Sequence, residues 1–178
     1  MQMASVLDST CAGIIPGAEV ALYFGIEEDP DLEGLCIGDT RVLLIEMPFT
    51  PWGVYEMNAL SSLCYNRRFT VVLAHYERFA EFQKDNKLYR EVLELPVYVQ
   101  INSESLTEGL RSRQWIGMFR DGSAHLMGSD CHNLDSRPPD LQRGREVIRK
   151  KLGPDVLTRI DRNTALLLLG KKPGRGKA

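Results

Sequence analysis

Cysteine is scarce and unpaired in this chain of 178 residues: Cys11, Cys36, Cys64 and Cys131 form no C-x-x-C pair. That spacing argues against a zinc ribbon, a thioredoxin-type site and a secreted disulfide framework. Unpaired thiols fit a reducing compartment, so a cytoplasmic protein is expected. Long apolar runs are missing too, since runs such as Leu166 to Leu169 are far short of a bilayer span. No membrane insertion is expected. The first residues lack a basic n-region and meet Asp8 before any useful apolar stretch, which argues against a signal peptide. A basic total with interleaved aromatics is also lacking, because net charge is -2 and aromatics make up 8%. Nucleic-acid binding is therefore not expected.

What is present suits a globular domain: 43% of residues are hydrophobic and 26% charged. A chain of this length buries about 70% of its unfolded surface, enough for a core without staples. Charge is unevenly spread. Residues 1–40 carry eight acidic groups and no Lys or Arg, whereas residues 137–178 carry twelve basic groups against four acidic ones. Solvated helix faces and a basic disordered tail over 171–178 account for this pattern. Residues 1–170 then form one domain.

Apolar, β-branched runs alternate with longer amphipathic stretches. Strands are expected over Glu19–Phe24, Val42–Met47, Thr70–His75, Tyr98–Asn102 and Ala124–Gly128. Helices are expected over Val54–Arg67, Phe79–Leu95, Thr107–Arg120, Leu141–Leu152 and Pro154–Leu169. Runs such as VLLIEM and TVVLAH are apolar on both faces, as in a parallel sheet covered on both sides. Repeated βα units give an α/β fold.

Polar groups capable of holding metal or phosphate accompany each run: Glu19, Glu46, His75 with Glu77 and Arg78, Asn102, then Asp130 and His132. In parallel α/β folds the site lies beyond the carboxyl ends of the strands, so these side chains should converge. Asp130 and His132, two residues apart, can reach one metal, and carboxylate plus imidazole suits Mn, Fe or Zn. Arg78 can fork two N–H groups onto an anionic oxygen. Taken singly, each group has an ordinary reading as a helix cap, a satisfied histidine or a surface pair. His125, inside the strand AHLMG, reads as structural. Cys131 and Arg137 match the C-x5-R spacing of cysteine-dependent phosphatases, but chance gives such a pair in roughly one chain in three of this composition. Leu134, Asp135 and Pro138-Pro139 also spoil the phosphate-cradling loop that mechanism needs.

GAEV at 17–20, LLIEMPFTPW at 43–52, VVLAHYER at 71–78, QINSESLTEG at 100–109, GSDCHNLDSRPPDL at 128–141 and NTALLLL at 163–169 resemble, in order and spacing, the CpsB/CapC family of capsule-type bacterial tyrosine-protein phosphatases. That family belongs to the polymerase and histidinol phosphatase superfamily. The resemblance implies a distorted (β/α)7 barrel with mostly parallel strands, and phosphotyrosine hydrolysis by a manganese or similar cluster without a cysteine nucleophile. It makes Glu19, His75, Asp130 and His132 metal ligands, and Arg78 and Arg137 the phosphate-binding residues. It implies a phosphotyrosine protein as substrate, a capsule-type tyrosine kinase as partner, and a link to capsule and exopolysaccharide regulation. Tyr76 stands where the family has proline.

The resemblance also implies an H-x-H motif, an acidic loop and a further histidine ahead of the GAE segment, but only 18 residues precede Glu19 and none is histidine. A barrel of this type takes about 250 residues, so part of it is expected to be absent here. An open edge strand would remain, inviting pairing with a partner or a second copy as a homo-oligomer. Two alternatives to the phosphatase follow: an impaired remnant that binds phosphotyrosine or a kinase, and a phosphoesterase for a small phosphate ester.

Overall fold

The computed structural model describes residues 13–83, 87–107 and 109–174. Cys11, Asp8 and the last four residues of the basic tail lie outside them. Five parallel strands make one sheet in sequential order: β1 (Glu19–Ala21), β2 (Val42–Glu46), β3 (Thr70–Leu73), β4 (Tyr98–Asn102) and β5 (Leu126–Gly128). Sequential order without reversal is barrel-like progression, unlike a doubly wound sheet, whose order turns back at a switch point. Among the described residues the sheet does not close, since β1 pairs only with β2 and β5 only with β4.

Period-2 alternation divides each strand between two faces. Leu43, Ile45, Val71, Leu73, Val99 and Ile101 face the larger core. Opposite them pack Ala59, Leu60 and Leu63 of α1 (Val54–Tyr65), together with Trp115 and Phe119 of the later helix over Ser112–Asp121. The other face carries Val42, Val72, Tyr98 and Leu126, covered by Leu167. β3 is buried at all four positions, whereas β1 buries only Val20. Covered-on-both-sides therefore holds for the middle of the sheet and not for β1.

The expected helix over Phe79–Leu95 is broken. Its described parts are a 3-10 segment over Tyr76–Glu81, the single turn α2 (Leu88–Glu91) and a 3-10 turn over Val92–Glu94. Tyr76 and Tyr89 stack at 4.4 Å, and each hydroxyl donates to the other's backbone carbonyl. One straight helix would hold residues 76 and 89 about 20 Å apart along its axis, so this contact is incompatible with it. The expected helix over Thr107–Arg120 starts later, as α4 (Ser112–Asp121), and Thr107 instead ends the separate turn α3 (Glu104–Thr107).

α5 (Leu141–Leu152) and α6 (Pro154–Leu168) form the closing hairpin. Arg149, Lys150 and Lys151 fall in the last turn of α5, where cations complement the helix dipole. Residues 171–174 have no regular structure, yet Pro173 is buried and its carbonyl accepts the Tyr98 hydroxyl at 2.7 Å. No helix among the described residues is long and apolar enough to cross a membrane.

Candidate metal and phosphate site

The sheet register assembles the first cluster. Glu19 opens β1 opposite Leu44, and Glu46 ends β2 opposite Ala21, so both carboxylates lie on the same face of neighbouring strands. His75 follows β3 by two residues. Its Nε2 lies 2.9 Å from Glu19 Oε1 and 3.3 Å from Glu46 Oε1, with the imidazole almost fully buried. One ligand atom from each of the three lies within 4.8 Å of the others. Among the described residues no Lys or Arg pairs with either carboxylate. The set of two carboxylates and one imidazole therefore fits a divalent transition metal.

The second cluster is built around Asp130, just past β5. Its Oδ2 pairs with Arg78 Nη2 at 2.5 Å and with Arg137 Nη2, while its side chain is only 8% exposed. Two guanidiniums on one buried carboxylate oxygen form a ready anion site, provided the anion can displace or join the carboxylate. His132 is more than half exposed, and its Nδ1 lies 2.9 Å from the Asp130 carbonyl and 3.6 Å from Asp130 Oδ1. Asp130 and His132 thus stand with the arginines, and Glu19, Glu46 and His75 stand together.

The two clusters are joined through β4. Gln100 Oε1 accepts the His75 backbone N–H at 2.6 Å, and Gln100 Nε2 donates to Asn102 Oδ1 at 2.7 Å. Asn102 Nδ2 then approaches Asp130 Oδ2 at 3.5 Å. Three described non-glycine residues have positive φ, namely Arg68, His75 and Asp130. Two of the three belong to the site, and such backbone costs about 1–3 kcal/mol each. Next to His75, Glu77 is buried, its Oε1 accepting Asn102 N–H and the Ser105 hydroxyl, both at 3.2 Å. Burial raises the pKa of this carboxyl.

Cysteine chemistry finds no support in the loop. Asn133 Oδ1 accepts the backbone N–H groups of Asp135, Ser136 and Arg137 at 2.9, 2.8 and 3.0 Å. The amides that a C-x5-R loop would offer to phosphate are already used. His125 is buried, and its Nδ1 accepts Val99 N–H at 3.1 Å, in keeping with a structural role.

Two participants go beyond the ligand set expected above. Glu46 stood out only as a strand-end carboxylate. Gln100 left a weaker trace, a polar residue between Tyr98 and Asn102 on one face of an apolar strand.

Residues 9–169 match the family model for capsular polysaccharide synthesis, CpsB/CapC. The chain belongs to the CpsB/CapC family. This CpsB/CapC chain is 36% identical over 149 residues to the tyrosine-protein phosphatase CpsB of Streptococcus pneumoniae, covering 77% of this chain and 60% of that protein. It is 28% identical over 160 residues to the tyrosine-protein phosphatase YwqE of Bacillus subtilis (strain 168), covering 87% and 62%. A solved chain matches with a TM-score of 0.80 at 26% identity, over 92% of this chain and 67% of that one. It comes from crystal structures of YwqE and of the Streptococcus pneumoniae CpsB, described as unique metal-dependent tyrosine phosphatases. The chain spans about 60% of the length of the two curated relatives.

Proposed function

We propose that this chain carries the phosphate-binding residues and part of the metal-binding residues of a metal-dependent protein-tyrosine phosphatase. The observation behind this reading is the convergence, at one rim of the sheet, of the Glu19–Glu46–His75 donor set and the Arg78–Asp130–Arg137 cluster. Manganese or a similar transition dication matches such oxygen-rich donors with one imidazole. Asp130 and His132 are proposed as further ligands. A metal held there supplies Lewis acidity, which lowers the pKa of an attacking water and offsets charge on the phosphoryl group.

The protein's own part is binding and positioning. Arg78 and Arg137 take the phosphoryl oxygens in place of Asp130, each guanidinium exchanging one anionic partner for another. Asp130, released from them, turns toward the donor set with His132. Gln100 keeps the His75 backbone fixed while this exchange occurs. The substrate and partner is proposed to be a phosphotyrosine protein in the cytoplasm, a capsule-type tyrosine kinase. Residues 1–170 act as the phosphatase domain, and 171–178 as its basic tail.

The test is phosphate release from a phosphotyrosine peptide by purified chain with Mn2+. Activity that His75→Ala abolishes is expected. Metal binding with no release above buffer would overturn the enzyme reading and leave a phosphotyrosine- or kinase-binding module. Faster turnover of histidinol phosphate than of the peptide would instead favour a small-ester phosphoesterase.

A further inference from the structure

Beside the donor set, an open pocket of about 570 Å³ is lined by Phe49, Phe82, Trp115, Arg78 and Arg111. None of these aromatic residues belongs to the donor set or to the anion cluster. Phe49 sits three residues past Glu46, and its ring lies nearly parallel to the His75 imidazole, centroids 6.3 Å apart. Phe79 supports it at 5.0 Å and Phe82 edge-on at 5.6 Å. Even so packed, Phe49 keeps 42% of its surface exposed.

The loop bearing Phe49 is held on both sides. Trp52 Nε1 donates to the Pro48 carbonyl at 3.0 Å. Buried Gln83 accepts Trp52 N–H at 2.9 Å and donates to the Thr50 carbonyl at 2.6 Å. An exposed aromatic ring on a clamped loop is preorganised, so a ligand that stacks on it pays little ordering cost. Arg78 belongs both to this pocket and to the anion cluster, so one molecule can place a phosphoryl group at Arg78 and a ring against Phe49. Glu77 and Glu81 on the same walls disfavour a dianion inside the pocket, which leaves the space to an uncharged group.

We infer that Phe49 is a specificity-determining residue, stacking on the phenyl ring of an aryl phosphate whose phosphoryl group is held by Arg78. The inference rests on the proposed phosphate role of Arg78 and Arg137 and deepens it: the chain selects aryl over non-aryl phosphate esters by a ring contact outside the donor set. Aromatic pairs add about two- to tenfold beyond the area they bury.

Calorimetric titration of the full chain with phenyl phosphate and with inorganic phosphate tests this without any turnover. The wild-type chain is expected to bind phenyl phosphate about tenfold more tightly. Phe49→Ala is expected to bring that ratio close to one, and Phe49→Tyr to preserve it, which also guards against a misfolded alanine variant. Equal affinities in the wild-type chain, or an unchanged preference in Phe49→Ala, would overturn the inference alone. Failure of both ligands to bind would sink the Arg78–Arg137 reading, and this inference with it.

Discussion

The backbone N–H of His75 donates to Oε1 of Gln100 at 2.6 Å, so the residue aiming at Glu19 and Glu46 is held from the neighbouring strand. Its φ of 29° makes that hold necessary, because a non-glycine residue in this region relaxes unless its surroundings fix it. Gly128 is part of the same arrangement. A Cβ there would clash with the Gln100 carboxamide, meeting its Nε2 first and standing 3.0 Å from Cδ.

Gln100→Ala and Gly128→Ala should therefore act alike, the first by deleting the acceptor and the second by displacing it. Each is expected to cost about 1–3 kcal/mol of stability for the buried donor left unpaired. Each should also weaken Mn2+ binding about 10–100-fold, as loss of an outer partner of a ligand does. Urea unfolding and metal titration check both effects. A Gly128→Ala variant with wild-type metal affinity would show that Gln100 does not orient His75.

How much of this could be read from the residues is instructive at particular positions. β4 falls where Tyr98–Asn102 was expected, because a β-branched run bounded by Pro96 and a polar turn leaves little choice. His75, Arg78 and Asp130 announced themselves as polar groups after apolar runs. Grouping them was harder. Which carboxylate meets His75 depends on β1–β2 register, a tertiary property that puts Glu46 beside Glu19. Helical periodicity over 79–95 failed because the Tyr76–Tyr89 cross-tie outweighs propensity, which contributes only tenths of a kcal/mol per residue.

Gly144 reports on how tightly α5 crosses the end of β4. A Cβ at this position would stand 2.5 Å from Ser103 Cβ and 2.8 Å from its Cα, and the latter is backbone that cannot swing aside. Ser103 also donates to Asp140 Oδ1 at 2.5 Å just before α5. Gly144→Ala should lift α5 off this contact and cost about 1–3 kcal/mol, despite alanine's better helix propensity. Thermal or urea unfolding decides the sign, and a stabilised variant would refute the close crossing.

The α5–α6 hairpin carries a two-pronged ion pair, Arg145 to Asp161 at 2.5 and 2.9 Å. The Arg145 hydrogen bond holds the Asp161 carboxyl below its usual pKa of 3.8. The folded state thus binds fewer protons than the unfolded one just below that value, so this contribution is present above it and fades as pH falls through the folded pKa. Both groups are partly exposed, and the pair is worth at most about 1 kcal/mol. Asp161→Asn should lower stability slightly at pH 7 and by a vanishing amount in strong acid. A deficit that persists at low pH would mean packing, not charge, is lost.

Glu46 offers a sharper distinction, because its two roles predict effects of opposite sign. Without a cation, Glu19 and Glu46 crowd one imidazole with no Lys or Arg beside them among the described residues, and like charges that close repel. Glu46→Gln removes that repulsion while keeping shape, so the metal-free variant should unfold at a higher temperature than the metal-free wild type. With metal the order should reverse. A ligand at about a hundred times its Kd adds about 2.7 kcal/mol to the folded state, and a variant that binds weakly loses most of it. Paired melting curves with chelator and with Mn2+ read both signs from one protein. A metal-induced rise in Tm as large in Glu46→Gln as in the wild type would remove Glu46 from the donor set. A carboxylate needed only for local packing would lower Tm equally in both conditions.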